Sequence, residues 1–225
     1  MQYRNIYKAT FLERPNRFIA RVLLGDKVET VHVKNTGRCR ELLLPDSQVI
    51  LSKSDSKERK TQYDLIAVYK KGLGLVNIDS QAPNTVMKEW LSKHFDFVRP
   101  EYRYGKSRID FYLEKGNKRY LVEVKGCTLE REGIGYFPDA PTERGVRHIY
   151  ELIDAREKGY ECALAFVIQM PQVNEVRPNI QIQPEFGTAW NDALKAGVRI
   201  WFLGCDVTEE KLSINNSRVI VDLLK

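Results

Sequence analysis

The sequence has no apolar run long enough to cross a bilayer as a helix. Nothing in Met1 to Lys8 resembles the apolar core of an export signal, so a cytoplasmic protein that works away from membranes is expected. Cysteine is sparse and scattered. Cys39, Cys127, Cys162 and Cys205 form no C-x-x-C pair, which argues against a zinc knuckle or a thioredoxin-like motif and marks them as reduced packing residues. The three histidines, His32, His94 and His148, have no metal-ligand spacing. There is no internal repeat, low-complexity tract or helix-turn-helix pattern, so base readout by a recognition helix is disfavoured.

The 225 residues, 43% hydrophobic and 10% aromatic, suffice for two modest domains. Charge divides unevenly between them. Residues 1 to 82 hold 15 Lys+Arg against 9 Asp+Glu, whereas residues 83 to 225 hold 21 of each. The whole excess of +6 therefore lies in the N-terminal part, as in a module that grips a polyanion, although the same charge spread over a surface also serves solubility.

From Tyr3 to Asp79 short period-2 runs recur at Tyr7 to Glu13, Phe18 to Leu24, Val28 to Lys34, Val49 to Ser54, Tyr63 to Tyr69 and Leu73 to Ile78, separated by turn-rich breaks. This spacing predicts a small OB-like β-barrel over residues 1–82. Barrels of this kind bind nucleic acid through exposed basic and aromatic side chains, which makes Arg17, Arg21, Lys34, Arg38 and Arg40 candidates for DNA contact. Thr36-Gly37 reads as a tight turn, and Lys53 to Lys60 as a charged loop. Around Asp79 to Pro83 the pattern becomes helical, and the second domain, 83–225, starts there.

Helical spacing is expected over Asn84 to Phe95, over Pro141 to Lys158 with an apolar stripe of Val146, Ile149, Tyr150 and Ile153, and over Pro184 to Ala196 with Phe186, Trp190 and Leu194 on one side. Strands are expected at Phe97 to Tyr104, Glu161 to Met170 and Val198 to Leu203, with two short ones at Lys211 to Ile214 and Arg218 to Asp222. Gly126 to Gly135 reads as a flexible connection. The order implies an α/β fold, a mixed sheet flanked by helices.

Ser107 to Lys125 organises this domain. Ile109, Phe111 and Leu113 alternate with Arg108, Asp110, Tyr112 and Glu114; Tyr120, Val122 and Val124 alternate with Leu121, Glu123 and Lys125; and Gly116-Asn117 is a hairpin turn signal. A turn centred there pairs residues whose numbers sum to 233, so Asp110 faces Glu123 with Lys125 two residues along. Facing carboxylates repel, and a divalent cation would give the pair a purpose, whereas a one-residue slip would separate them. Similar alternation also occurs in any half-solvated strand.

Asp, a short hairpin and Glu-x-Lys resemble the PD-(D/E)xK nuclease core. Together with Asn35 to Leu42, Asn77 to Asn84 and Tyr136 to Gly145, the chain resembles the sugar fermentation stimulation protein A (SfsA) family nearly end to end. The resemblance implies a restriction-endonuclease-like C-terminal domain, DNA as partner and a regulatory link to sugar utilisation, with a Mg²⁺- or Mn²⁺-dependent nuclease as the alternative. It assigns catalysis to Asp110, Glu123 and Lys125, and metal binding to Asp110 and Glu123. Glu89 of the first helix is a third candidate ligand, though it also fits an ion pair with Lys93. Arg144 and His148, one helical turn apart, are expected to border the site and hold phosphate. Oligomeric state, including a homodimer, stays open.

Overall fold

The computed structural model describes residues 1–35, 37–56, 58–105 and 107–221. Thr36 of the expected turn, Lys57 of the charged loop and Asp222 of the last expected strand lie outside the described residues.

The N-terminal unit contains β1 (Ile6–Asn16), β2 (Ile19–Leu24), β3 (Lys27–Val33), β4 (Gln48–Lys53), β5 (Tyr63–Lys70) and β6 (Gly74–Asn77). Their order is β3-β2-β1-β4-β5-β6, and a short parallel pairing of β3 with β5, His32 opposite Asp64 and Val33 opposite Leu65, closes the first five strands into an OB barrel. Closure leaves β3 and β5 without a free edge at this point. The inward residues, among them Phe11, Val22, Val31, Val49, Leu51 and Val68, are buried, as the period-2 pattern requires.

The C-terminal unit begins with α1 (Ala82–Leu91), followed by β7 (Phe97–Tyr104), β8 (Ser107–Lys115), β9 (Lys118–Cys127), β10 (Leu129–Arg131), β11 (Ile134–Phe137), α2 (Glu143–Glu157), β12 (Glu161–Ile168), β13 (Val176–Pro178), α3 (Pro184–Lys195), β14 (Arg199–Val207) and β15 (Leu212–Ile220). A six-stranded mixed sheet runs β15-β14-β12-β9-β8-β7, with β12 parallel to both β9 and β14. Helix α1 covers one face of the sheet; α2 and α3 cover the other. Buried on both sides, β12 is apolar from Cys162 to Ile168. The core under α2 and α3 is continuous with the barrel core, so the two units share buried apolar surface.

Four local expectations need correction. Residues 126–135 are ordered: β9 runs on to Cys127, and β10 and β11 pair around Glu132-Gly133, both at positive φ (53° and 81°), in a three-stranded sheet with β13. The segment is too short and polar for its alternation to stand out. Tyr150 is exposed, and α2 instead buries Gly145, His148, Ile149, Leu152 and Ala155. Leu194 is likewise exposed, Ala189 and Ala193 filling the inner face of α3 beside Phe186 and Trp190. The two short C-terminal strands are one strand, β15, whose register shift against Leu203 and Cys205 of β14 disguised its continuity.

All four cysteines are free and buried, and burial pushes each thiol up to about 12, which leaves them inert packing groups at neutral pH.

Candidate functional site

The β8–β9 hairpin has the register that the turn signal implies. Phe111 faces Val122, Leu113 faces Tyr120 and Lys115 faces Lys118, and beyond this ladder Asp110 and Glu123 lie close enough for the charge of Glu123 to act on Asp110. The backbone ladder ends at Phe111–Val122 because the next amide serves the site: Val124 N–H donates to Asp110 Oδ2 at 2.8 Å. Asp110 Oδ1 accepts from Asn84 Nδ2 at 2.9 Å, and so α1 contributes an amide to the pair.

Glu123 lies deep, 2% exposed. Its Oε1 accepts from Lys125 Nζ at 2.5 Å and from His148 Nδ1, while Oε2 is buried without a hydrogen-bond partner. Arg144 Nε donates to His148 Nε2 at 3.3 Å, which places the ring proton on Nδ1, facing Glu123. A chain of Arg144, His148, Glu123 and Lys125 results. Its electrostatics split the two carboxylates. Burial raises Asp110, and the charge of Glu123 raises it further. Burial also acts upward on Glu123, but Lys125 and His148 together outweigh it and hold the group below the usual carboxylate range.

One expected member sits elsewhere. Glu89 is half exposed, and its Oε2 accepts from the Met1 ammonium at 2.7 Å. It is five residues beyond Asn84, about 140° around the helix, so one helix cannot present both to Asp110. His148 is not on a solvated face: it is buried against Glu123, leaving Arg144 as the helix residue nearer solvent. Among the described residues no cluster of three or more His, Cys, Asp or Glu has metal-holding geometry. The fit to a divalent cation rests on the Asp110–Glu123 pair, the orphaned Glu123 Oε2 and the raised Asp110 carboxyl, a donor set that suits an ion retaining several waters.

The barrel candidates separate in the same way. Lys34 is committed to buried Asp79 at 2.8 Å and Arg21 to Glu13 at 2.9 Å. Arg17, Arg38 and Arg40 are exposed and line one concavity of about 450 Å³ with Arg14, Asn16 and Ala140. Arg14, absent from the expected set, donates to the carbonyls of Gly37 (2.9 Å), Arg38 (2.6 Å), Arg17 (2.7 Å) and Asn35 (2.7 Å). Only its folded setting distinguishes it from the other arginines. A second concavity, about 340 Å³, shares Gly37 and Ala140 with the first and reaches Pro83 and Gly126, sequence neighbours of Asn84 and Lys125. Gly37 packs so closely on Asp139 that a Cβ would overlap its carboxylate, bringing together the Asn35–Leu42 and Tyr136–Gly145 blocks.

Gly126 fills an equally tight place. A Cβ there would lie 2.5 Å from Gln169 Oε1 and 2.7 Å from Pro83 Cγ, and Gln169 is held by Asn77 Oδ1 (2.8 Å) and the Asp79 carbonyl (3.1 Å). Gly126→Ala is expected to cost about 1–3 kcal/mol, measured by urea unfolding, because neither neighbour has room to retreat. An unchanged midpoint would show that Gln169 yields freely.

Comparison with known proteins accounts for both halves. Residues 12–78 match the SfsA N-terminal OB domain, and residues 81–211 match the sugar fermentation stimulation protein RE domain. Sugar fermentation stimulation protein homologs are similar throughout: that of Desulfitobacterium hafniense (strain DSM 10664 / DCB-2) is 50% identical over 216 residues, 94% of each chain, and that of Clostridium beijerinckii is 47% identical over 221 residues, 96% of this chain and 97% of the relative. The structure of Pyrococcus furiosus SfsA in complex with Ca²⁺ superposes with a TM-score of 0.83 at 28% identity, covering 95% of this chain and 96% of that one. With both of its domains matched and relatives of about half-identical sequence along nearly its whole length, the chain belongs to the sugar fermentation stimulation protein family.

Proposed function

We propose that this protein binds DNA through its basic barrel, with little sequence preference, in a regulatory role tied to sugar utilisation. The observation that carries this reading is the concavity walled by Arg17, Arg38 and Arg40, which have no carboxylate partner among the described residues. Such a surface binds phosphate backbone by releasing counterions, so affinity falls steeply with added salt and differs little between unrelated sequences. Salt-insensitive, site-selective binding would contradict it.

A second reading, metal-dependent phosphodiester hydrolysis, is favoured by the orphaned Glu123 Oε2 beside Asp110 and by Lys125 within reach of the same carboxylate. Asp110 and Glu123 would hold Mg²⁺ or Mn²⁺, hard cations that take oxygen ligands, and the Pyrococcus relative, solved in complex with Ca²⁺, supports a divalent ion in this reading. The ion would supply Lewis-acid stabilisation of charge on the phosphoryl oxygens and a more acidic bound water. Lys125 orients the attacking water, and Glu123 is oriented by His148, itself fixed by Arg144. Asn84 and the Val124 amide hold Asp110.

The test is cleavage of labelled single-stranded, duplex and branched DNA, and of RNA, with Mg²⁺, Mn²⁺ or chelator, comparing the native protein with Asp110→Asn at matched binding. Metal-dependent cutting abolished in the variant establishes a nuclease. Binding without cutting of any substrate leaves a regulatory DNA binder and overturns the second reading.

A further inference from the structure

The barrel concavity is bordered by more than positive charge. Phe18, in the β1–β2 turn, is 44% exposed, and the guanidinium of Arg17 lies 4.8 Å from its ring centroid. The Arg14 fan of carbonyl hydrogen bonds ties this turn to the 35–40 loop, so the turn that carries Arg17 and the loop that carries Arg38 are held together. Past the shared wall of Gly37 and Ala140, the second concavity has a partly exposed aromatic, Tyr136, with Arg131 over its ring at 5.3 Å. Among the described residues Asp139 is the one acidic residue lining that concavity, and burial raises its carboxyl above the usual range although the backbone amides of Asp139, Arg38 and Ala140 act against it. The two hollows share Gly37 and Ala140 and run from Asn16 and Arg17, next to Phe18, to Pro83 and Gly126, sequence neighbours of Asn84 and Lys125.

From this we infer that the track between barrel and sheet takes single-stranded nucleic acid, with an unpaired base stacked on Phe18 and the adjoining phosphates on Arg17, Arg38 and Arg40. The inference rests on the DNA-binding reading above and names the form of DNA. A base engaged in a duplex has no free π-face to offer an aromatic side chain, whereas a single strand offers one at every nucleotide. Stacking beside arginine is also tolerant of sequence, in keeping with the lack of a recognition helix. Alternating basic and aromatic contacts continue toward Tyr136, so the strand runs along the domain junction toward the carboxylates instead of around the barrel.

The experiment is fluorescence anisotropy at low salt with chelator, using labelled oligothymidylate and a labelled duplex of equal length, on the native protein, Phe18→Ala, Phe18→Trp and Arg38→Ala. The single strand is expected to bind at least several-fold more tightly than the duplex. Phe18→Ala should weaken single-strand binding by roughly ten-fold and leave duplex binding unchanged, the size of one lost base–aromatic stack. Phe18→Trp should restore affinity, its added emission being quenched by the oligomer, and Arg38→Ala should weaken both probes. Duplex binding as tight as single-strand binding, or a Phe18→Ala variant that behaves like the native protein, overturns the inference while the DNA-binding reading stands. Failure of both probes to bind the native protein overturns both.

Discussion

Glu123→Ala is expected to lower stability by about 3 kcal/mol, near a 10 °C fall in Tm for a chain of this size, whereas Asp110→Asn raises Tm by about 2–4 °C. The two carboxylates are near enough to interact, yet their surroundings differ. Glu123 anchors Lys125 and the buried His148, and removing it leaves the Lys125 ammonium without its counter-charge and the His148 Nδ1–H without its acceptor. Burial and the charge of Glu123 raise Asp110, and the Val124 backbone amide, the Lys125 charge and the Asn84 side-chain amide offset them only in part. Asparagine at 110 keeps the shape and drops the charge, and Asn84 can turn its own carbonyl oxygen toward the new amide. A group that costs stability while serving chemistry is what a reactive centre would contain.

The pH dependence has opposite signs at the two positions. The folded value of Glu123 lies below its unfolded one, so its contribution is present above the unfolded carboxylate pKa and lost as pH falls through the folded value. Asp110 is raised, so its stability deficit is absent below the unfolded pKa and sets in as pH rises through the folded value. The advantage of Asp110→Asn over the native protein should therefore be largest at neutral pH and close on acidification. Thermal unfolding from pH 7 down to the carboxylate range, with chelator present so that no divalent ion substitutes for the missing balance, measures both. Equal destabilisation by the two substitutions would refute this division of roles.

The second large effect is expected at Asp79, which is fully buried where the domains meet. Its Oδ2 accepts from Lys34 Nζ (2.8 Å) and the Tyr3 hydroxyl (3.1 Å), and its Oδ1 from Gln81 N–H (2.9 Å) at the start of α1. Burial, followed by the Asp79 charge, pushes the Tyr3 phenol far above its ordinary value, so it remains a donor across the accessible pH range. Asn77 Nδ2 donates to the same hydroxyl at 3.0 Å, and Gln169 from the sheet domain reaches Asn77 and the Asp79 carbonyl. Asp79→Ala leaves Lys34 half-enclosed without a counter-charge and frees the first turn of α1, at a cost of about 3 kcal/mol by urea unfolding. Asp79→Asn, which retains two of the three acceptor contacts, should recover part of it. Proteolytic nicking near residues 78–82 should rise in the alanine variant before global unfolding, since this network pins the segment joining barrel to sheet. A loss below about 1 kcal/mol would mean that Lys34 simply swings into water.

Period-2 alternation with a Gly-Asn turn determined the β8–β9 register from local sequence alone, because a slip by one residue would have turned every apolar side chain outward. The barrel strands were legible for the same reason, and so was the nearness of Asp110 to Glu123, although the ladder stops one pair short of them. What tertiary structure decided was which polar residue of a helix turns inward. Helical periodicity ranks faces by apolar content, so it favoured Tyr150 over His148 and left Asn84 without a signal while Glu89 stood out by its charge. Burial of His148 is stable only because Glu123, 25 residues away in sequence, meets its Nδ1, and Asn84 matters only because α1 starts over Asp110. The same holds for the arginines: Lys34 and Arg21 are taken up by Asp79 and Glu13, while Arg14 becomes the tie for two loops, since partners brought together by folding, not residue type, determine which charges remain for a ligand.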